Sequence, residues 1–583
     1  MCIYPYLCII LFKFNYLKKL IFSIITLILS LNSFAQFPGW EWARTAIGDA
    51  DDYKIATDNF GNVYVCGIFI DSTLTFGPYT LFNVNSNNDQ QCDVFVAKFD
   101  STGKIIWAQS GGGIGLEECW GIAADNSGNV YITGEFYSTS VNFGTHVLYN
   151  TDTSGYSSDA YFVKYDSLGN ILWAKDIGGN GFDKGICIAT DKNENVYLVG
   201  NFTSPNIVFG IDTFNYIGFG NPNLFIVKYD STGNIIWAIR NNTDYGISFP
   251  NITTDKDGNF FLAGDYGQKI IFGTGTLKST NVDFDLFLAK YNSSGQVIWA
   301  KSSHGIGGGA YVFSITSDMS RNIIMTGSFE AKKISFGSDT LINATNIGQY
   351  DDIYIVKYDQ SGNVLWAHGM GGPGLEQGNS VASDFEENIY LVGEFAFGYE
   401  SPFIVFDTIT LWNPGGGDGI FIVKYNSSGH ALWAKGYPCG GEDGEAIVIS
   451  PTGSVYLGGD FICSSWVLGP DTLKTTGTST QGIESVYVAK LISPPPINIP
   501  IIQQVNSNLA NSIYFNSTLQ INSDLPGKVT VVIYDVLGQK VTNIESYIHS
   551  INLNNLEFSS GVYFYRAYIG TEFISAGKFV VEK

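Results

Sequence analysis

One recurring pattern sets what this chain can fold into. A Trp-Ala dipeptide stands at Trp42, Trp107, Trp173, Trp237, Trp299, Trp366 and Trp433, at intervals of 62 to 67 residues. A V-x-K-Y type run recurs at Lys98, Lys164, Lys228, Lys290, Lys357, Lys424 and Lys490. An N-V-Y type run recurs around Val63, Val130, Val196, Phe260, Ile323, Ile389 and Val455. Three separate markers therefore give seven units. A fixed period of this kind outranks local propensity, because each unit buries its apolar faces only against its neighbours.

Within a unit the pattern is strand-like throughout. "GIAAD", "NVYITGEF", "YFVKYD" and "NILWAK" are short runs of Val, Ile, Tyr and Trp between turn residues. "DNSGN" and "DSLGN" are tight hairpin signals in which Gly or Asn supplies positive φ. A stretch such as "VNFGTHVL" adds a further short β segment between the second and third strands. Four antiparallel strands per unit, seven times over, predict an all-β fold: a seven-bladed β-propeller of four-stranded blades. The chain enters on a Trp-Ala strand at Trp42 and leaves on "VYVAKL" at Lys490 with no such strand after it. The N-terminal strand is therefore expected to complete the last blade and remove its open edge.

Composition narrows the function classes. Hydrophobic residues at 45% exclude a disordered chain, and 67 glycines with 34 tyrosines suit many short strands. With 31 basic and 54 acidic residues the formal charge is −23, which argues against a nucleic-acid surface. At the N-terminus, Lys18 and Lys19 precede the apolar run "LIFSIITLILSL", and "SFAQ" follows. This reads as a signal peptide over residues 1–35 cleaved after Ala35, with an uncleaved anchor as the alternative. The run is short for a bilayer span, which needs about 20 residues.

The repeats resemble the SBBP-type β-propeller repeats of exported bacterial proteins: a Gly-rich loop, I-A-x-D, G-N-V-Y-V-x-G, then a V-x-K-Y strand. The resemblance covers residues 37–492 and implies a fold with little chemistry. "SPPPINIP" then breaks the period and reads as an extended linker, residues 493–505. Beyond it, "YDVLGQKV" with Gly538, "SSGVYFYR" opening at Gly561 and "GKFVVEK" with Lys578 suggest a small β-sandwich over residues 506–583. That stretch resembles the C-terminal sorting domain of type IX secretion in Bacteroidota. The resemblance implies the type IX machinery as a partner, passage across the outer membrane, and a secreted or cell-surface location.

The recurring side chains read first as architecture. The Asp of I-A-x-D (Asp58, Asp125, Asp191, Asp255, Asp318, Asp384) is expected to cap a turn, since the seventh unit has Ser450, a poor metal ligand. The seven lysines are expected to pair or pack between blades, and the tryptophans to fill the space between twisted sheets. Strand alternation puts the short turns on one face and the Gly-rich and second-to-third strand loops on the other. On that variable face, acids precede the inner strand in five units: Asp51 and Asp52, Glu117 and Glu118, Asp183, Glu376, then Glu442 and Asp443. Loop capping is the plain reading; a ligand-binding rim near the channel mouth is the functional one. No cofactor is required, and Ca²⁺ is the cation these oxygens would favour. The expected role is an extracellular binding scaffold for a glycan or protein ligand, the alternative being a secreted carbohydrate-active or other hydrolase with paired carboxylates. The same face assignment predicts Cys92–Cys119 and Cys439–Cys463 disulfides, with Cys66 and Cys187 as buried thiols.

Overall fold

The computed structural model describes residues 37–492 and the strands between 512 and 581. Within the first range the connecting segments 85–90, 218–220, 244–246, 248–249, 280–283, 346–349, 398–402, 414–418, 438–445 and 476–484 are not described. The expected signal peptide, the linker, Cys439, Glu442 and Asp443 lie outside the described residues, as does the Asp52 side chain. The chain divides into two compact units, Met1–Pro494 and Pro495–Lys583.

The first unit is an all-β β-propeller. Among the described residues a set of four antiparallel strands recurs seven times, each set beginning at an innermost strand: Ala50–Thr57, Glu117–Ala124, Asp183–Thr190, Asn251–Thr254, Ala310–Ser317, Leu375–Ser383 and Ala446–Ile449. We call the sheets blades 1 to 7 in that order. Second strands such as Val130–Phe136 and third strands such as Asp159–Tyr165 are buried at every position. They read as continuous apolar runs because neighbouring blades cover both of their faces. Innermost strands alternate instead, as in the Glu117–Ala124 pattern of buried and half-buried residues.

Between the second and third strands each blade carries a short hairpin, for example Ser140–Phe143 with His146–Tyr149. The blade 2 hairpin pairs with the outer strand of blade 1 through Asn142 and Gly112. Blades 4 and 5 repeat this link to the blades before them. Blade 7 takes Trp40–Thr45 as its outer strand, antiparallel to Ser485–Leu491, with Trp42 opposite Lys490 and Thr45 opposite Tyr487. The N-terminal strand thus joins the last blade.

In the second unit, Lys540–Ser546, Val529–Tyr534, Gly561–Ile569 and Glu572–Val581 form a four-stranded antiparallel sheet in that order. Ser512–Phe515, Thr518–Ile521 and Ser550–Asn552 form a second sheet.

Candidate functional site: the channel and its flanking loops

The repeated residues form one inter-blade fastening. In blade 1, Asp58 Oδ1 accepts the Phe60 and Asn62 amides at 2.9 Å, and Oδ2 accepts the Tyr64 hydroxyl at 2.9 Å. Lys98 lies over the Tyr64 ring at 4.9 Å and 3.8 Å from Asp58. Its ammonium donates to Ser167 O in the turn of blade 2 at 3.0 Å, and Trp107 Nε1 donates to the same carbonyl at 3.2 Å. Burial pulls the Lys98 and Lys164 ammoniums down, while Asp58 and Asp125 act in the opposite direction. At the ring closure, Lys490 and Trp42 both donate to Ser101 O at 3.1 Å, and the Tyr456 hydroxyl reaches Gly61 O at 2.7 Å. Blade 7 meets blade 1 by the contacts that join blade 1 to blade 2. These aspartates, lysines and tryptophans are therefore structural.

The acids on the loop-rich face do something different from lining the channel. Glu117, Asp183 and Glu376 are fully buried. Each folds back on its own Gly-rich loop: Gly113 N donates to Glu117 Oε2 at 3.0 Å, Gly179 N to Asp183 Oδ2 at 2.9 Å, and Gly374 N to Glu376 Oε1 at 3.3 Å. Ser204 Oγ adds a 2.5 Å bond to Asp183. Each acid also faces the residue that opens the preceding blade's third strand. The Glu117 amide donates to Cys92 O at 3.2 Å, that of Asp183 to Ser158 O at 2.9 Å, and that of Glu376 to Asp351 O at 2.9 Å. Asp93, Asp159 and Asp352 thereby become carboxylate neighbours, and each raises its partner's pKa. Burial is the larger cause. It pushes Asp93 and Asp183 up to about 6, Glu117 and Asp352 to about 7, and Glu376 to about 9. For these three carboxylates the plain reading, loop capping, holds, and they do not gather at the channel mouth. They stand at the first or second position of an inner strand, but the side chain turns into the seam between blades, where loop amides bond at least one of its oxygens.

The channel itself is lined by residues of all seven innermost strands and has a volume of about 640 Å³. β-Bulges interrupt several of the innermost strands. The register shifts between Cys119 and Gly121, Gly185 and Cys187, Val312 and Ser314, and Gln377 and Ser380. The extra residues Trp120, Ile186, Phe313 and Asn379 all line the channel. Beside Trp120 lies a charged group: Lys184 Nζ sits 5.1 Å over the indole, 4.0 Å from Glu118 Oε2, and in an ion pair with Glu135. Of the predicted rim acids, Glu118 is the one at this group, partly exposed beside the channel; Asp51 is the second residue of the innermost strand of blade 1. Sequence reasoning missed Trp120, Phe313 and Lys184. Their only signal was variability at one position of the repeat, where "ECWGIAA" and "AYVFSITS" differ.

Among the described residues no group of three or more His, Cys, Asp or Glu could hold a metal ion. Cys463 is disulfide-bonded, and its expected partner Cys439 lies outside the described residues. The Cys92–Cys119 expectation is corrected: no disulfide joins them. Cys92 Sγ donates to Glu117 O at 3.1 Å, two residues short of Cys119, whose side chain points down the seam to Cys66 at 2.8 Å. Cys187, expected to be buried, is partly exposed at the channel wall.

Strand order and tail together define a class: a β-propeller protein with a C-terminal secretion sorting domain. Residues 514–582 match the Secretion system C-terminal sorting domain. That domain implies interaction with the type IX secretion machinery and a secreted or cell-surface location. An uncharacterized WD repeat-containing protein of Acanthamoeba polyphaga mimivirus is 23% identical over 459 residues, covering 65% of this chain and 33% of that protein. The chain thus spans about a third of that relative's length. Among solved structures, Sqt1 from Chaetomium thermophilum is 10% identical, with a TM-score of 0.36 over 79% of this chain and 100% of that one. The β-propeller domain of the Trilobed protease from Pyrococcus furiosus is 8% identical, with a TM-score of 0.33 over 73% of this chain and 97% of that one.

Proposed function

We propose that the protein is an exported binding scaffold, a ring of seven SBBP-type blades whose channel and loop-rich face take an extracellular glycan or protein ligand. The observation that carries this reading is the set of bulged residues at the channel. Trp120 and Phe313 offer flat apolar faces, and Asn379 and Lys184 offer hydrogen-bonding groups beside them. Aromatic platforms edged by polar groups suit a ligand with both apolar and hydroxyl or amide surface. The hydrolase alternative has less support. Its carboxylates would be Glu117, Asp183 and Glu376, all sealed from solvent. Glu118 stands opposite Glu135 across the strand pair, but Lys184 engages both carboxylates, in an ion pair with Glu135 and 4.0 Å from Glu118 Oε2. Ca²⁺ stays a proposal drawn from the acidic loops.

Glycan and protein arrays probed with the purified protein, alongside metal analysis, test the reading. A hit should weaken at least about tenfold, roughly 1.4 kcal/mol, in the Trp120→Ala/Phe313→Ala variant. A hit that binds the variant equally well would place the ligand away from the channel.

A further inference from the structure

Cys66 and Cys119 belong to different blades. Cys66 is on the second strand of blade 1, opposite Lys54 on one side and Val96 on the other. Cys119 is on the innermost strand of blade 2, opposite Gly134 and immediately before the bulge at Trp120. Their sulfurs lie 2.8 Å apart. That is inside the sum of two sulfur van der Waals radii and within an ångström of the S–S bond length of about 2.05 Å. Both side chains sit in one apolar cluster with Val94, Val96, Ile132 and Tyr161, at 0% and 1% exposure. The Tyr161 hydroxyl donates to Glu118 O at 2.8 Å and fixes the backbone just before Cys119. The sulfurs therefore face each other across the seam with no room to swing apart.

The second observation is the destination of the chain. The sorting domain takes it out of the reducing cytosol, into compartments where disulfides form and persist. We propose that the exported protein carries a Cys66–Cys119 disulfide that staples blade 1 to blade 2. In its formation, one cysteine thiolate attacks the disulfide of a thiol oxidoreductase in the export compartment and gives a mixed disulfide. The second thiolate then displaces the enzyme's sulfur. The pair loses two electrons and two protons, and the oxidoreductase leaves as its dithiol. Because both sulfurs are sealed in the finished ring, the exchange occurs before blade 2 closes on blade 1. Two other cysteines are placed elsewhere: Cys92 bonds the Glu117 carbonyl, and Cys187 lies at the channel wall of blade 3.

The test is a peptide map of the full chain recovered after secretion, alkylated in denaturant without reductant. The expected result is the Cys66 peptide joined to the Cys119 peptide, two hydrogens lighter than their sum, with Cys92 and Cys187 alkylated. Alkylation of both Cys66 and Cys119 would overturn the proposal. So would a Cys119 linked to Cys92 or Cys187.

Discussion

Lys490 pairs with Glu41 across the ring closure, 3.0 Å from ammonium to carboxylate. In six other blades the equivalent lysine lies within 4 Å of the turn aspartate of its own blade, as Lys357 does with Asp318 at 2.8 Å. Blade 7 has Ser450 in place of that aspartate, so the N-terminal strand brings the counter-charge along with the missing outer strand. Deleting residues 37–45 removes both, together with the buried Trp40 and Trp42. The expected outcome is aggregation, or a large fall in melting temperature, because an open strand edge templates pairing with other chains. Light scattering and thermal melts check this. Glu41→Gln alone should cost under about 1 kcal/mol, since Glu41 is nearly half exposed, and Ser450→Asp in that background should restore the loss.

The lysine–aspartate pairs in the other blades are more deeply set. Lys164 and Asp125 are 3.7 Å apart with side chains almost fully buried. Replacing Asp125 by Ala strands the Lys164 charge and removes the turn's hydrogen bonds. A loss of about 3–5 kcal/mol is expected in a denaturant titration. Asp125→Asn keeps most of the turn bonds and should cost less, which separates the charge from the cap.

Gly169 is held at a φ of +88° in the turn beneath the Trp107 indole. A methyl group there would come within 2.8 Å of the ring. Gly169→Ala therefore meets both backbone strain and overpacking, with an expected cost of about 1–3 kcal/mol. Gly155, at a φ of +77° with open space around it, supplies the control. Its alanine variant suffers only the backbone term, and chemical denaturation should rank it well below Gly169→Ala in cost.

The buried acids give stability an unusual pH dependence. A carboxyl whose pKa is raised in the fold stabilises it fully below the unfolded value, about 4, and that contribution is lost as pH rises through the folded value. Here the loss runs through about 6 for Asp93 and Asp183, about 7 for Glu117 and Asp352, and about 9 for Glu376. Turn aspartates such as Asp166 are shifted the other way: burial raises and bonds from Asn170 lower, with a net fall, so they contribute above pH 4 and lose it in acid. Denaturant midpoints should peak in mild acid and decline towards pH 9. Glu376→Gln should flatten the part of that decline above pH 7.

How much of this could be read from the sequence depends on whether a residue acts within its repeat or between repeats. The turn capping by Asp58 and its equivalents follows from local geometry, and Ser450 in the seventh unit was enough to identify it. The strand pattern and the N-terminal clasp followed from the order of markers along the chain. Glu117, Asp183 and Glu376 cap their loops, the plain reading of the sequence, whereas the functional reading of a channel rim needed a direction that the sequence does not carry. Whether Glu117 faces a channel or a seam depends on Asp93, in another blade and linked to it only through folding. Cys119 was paired with Cys92 by loop proximity, whereas the strand pleat sends its sulfur to Cys66.

The sequence by itself determined the repeat, the count of markers, the strand-rich class and the distinct tail, because periodic burial and turn chemistry are local and additive. The tertiary structure alone decided what enters the channel. Alternation puts Trp120 and Phe313 on one face of their innermost strands, and only the gathering of seven such strands around one axis makes that face the wall of a channel.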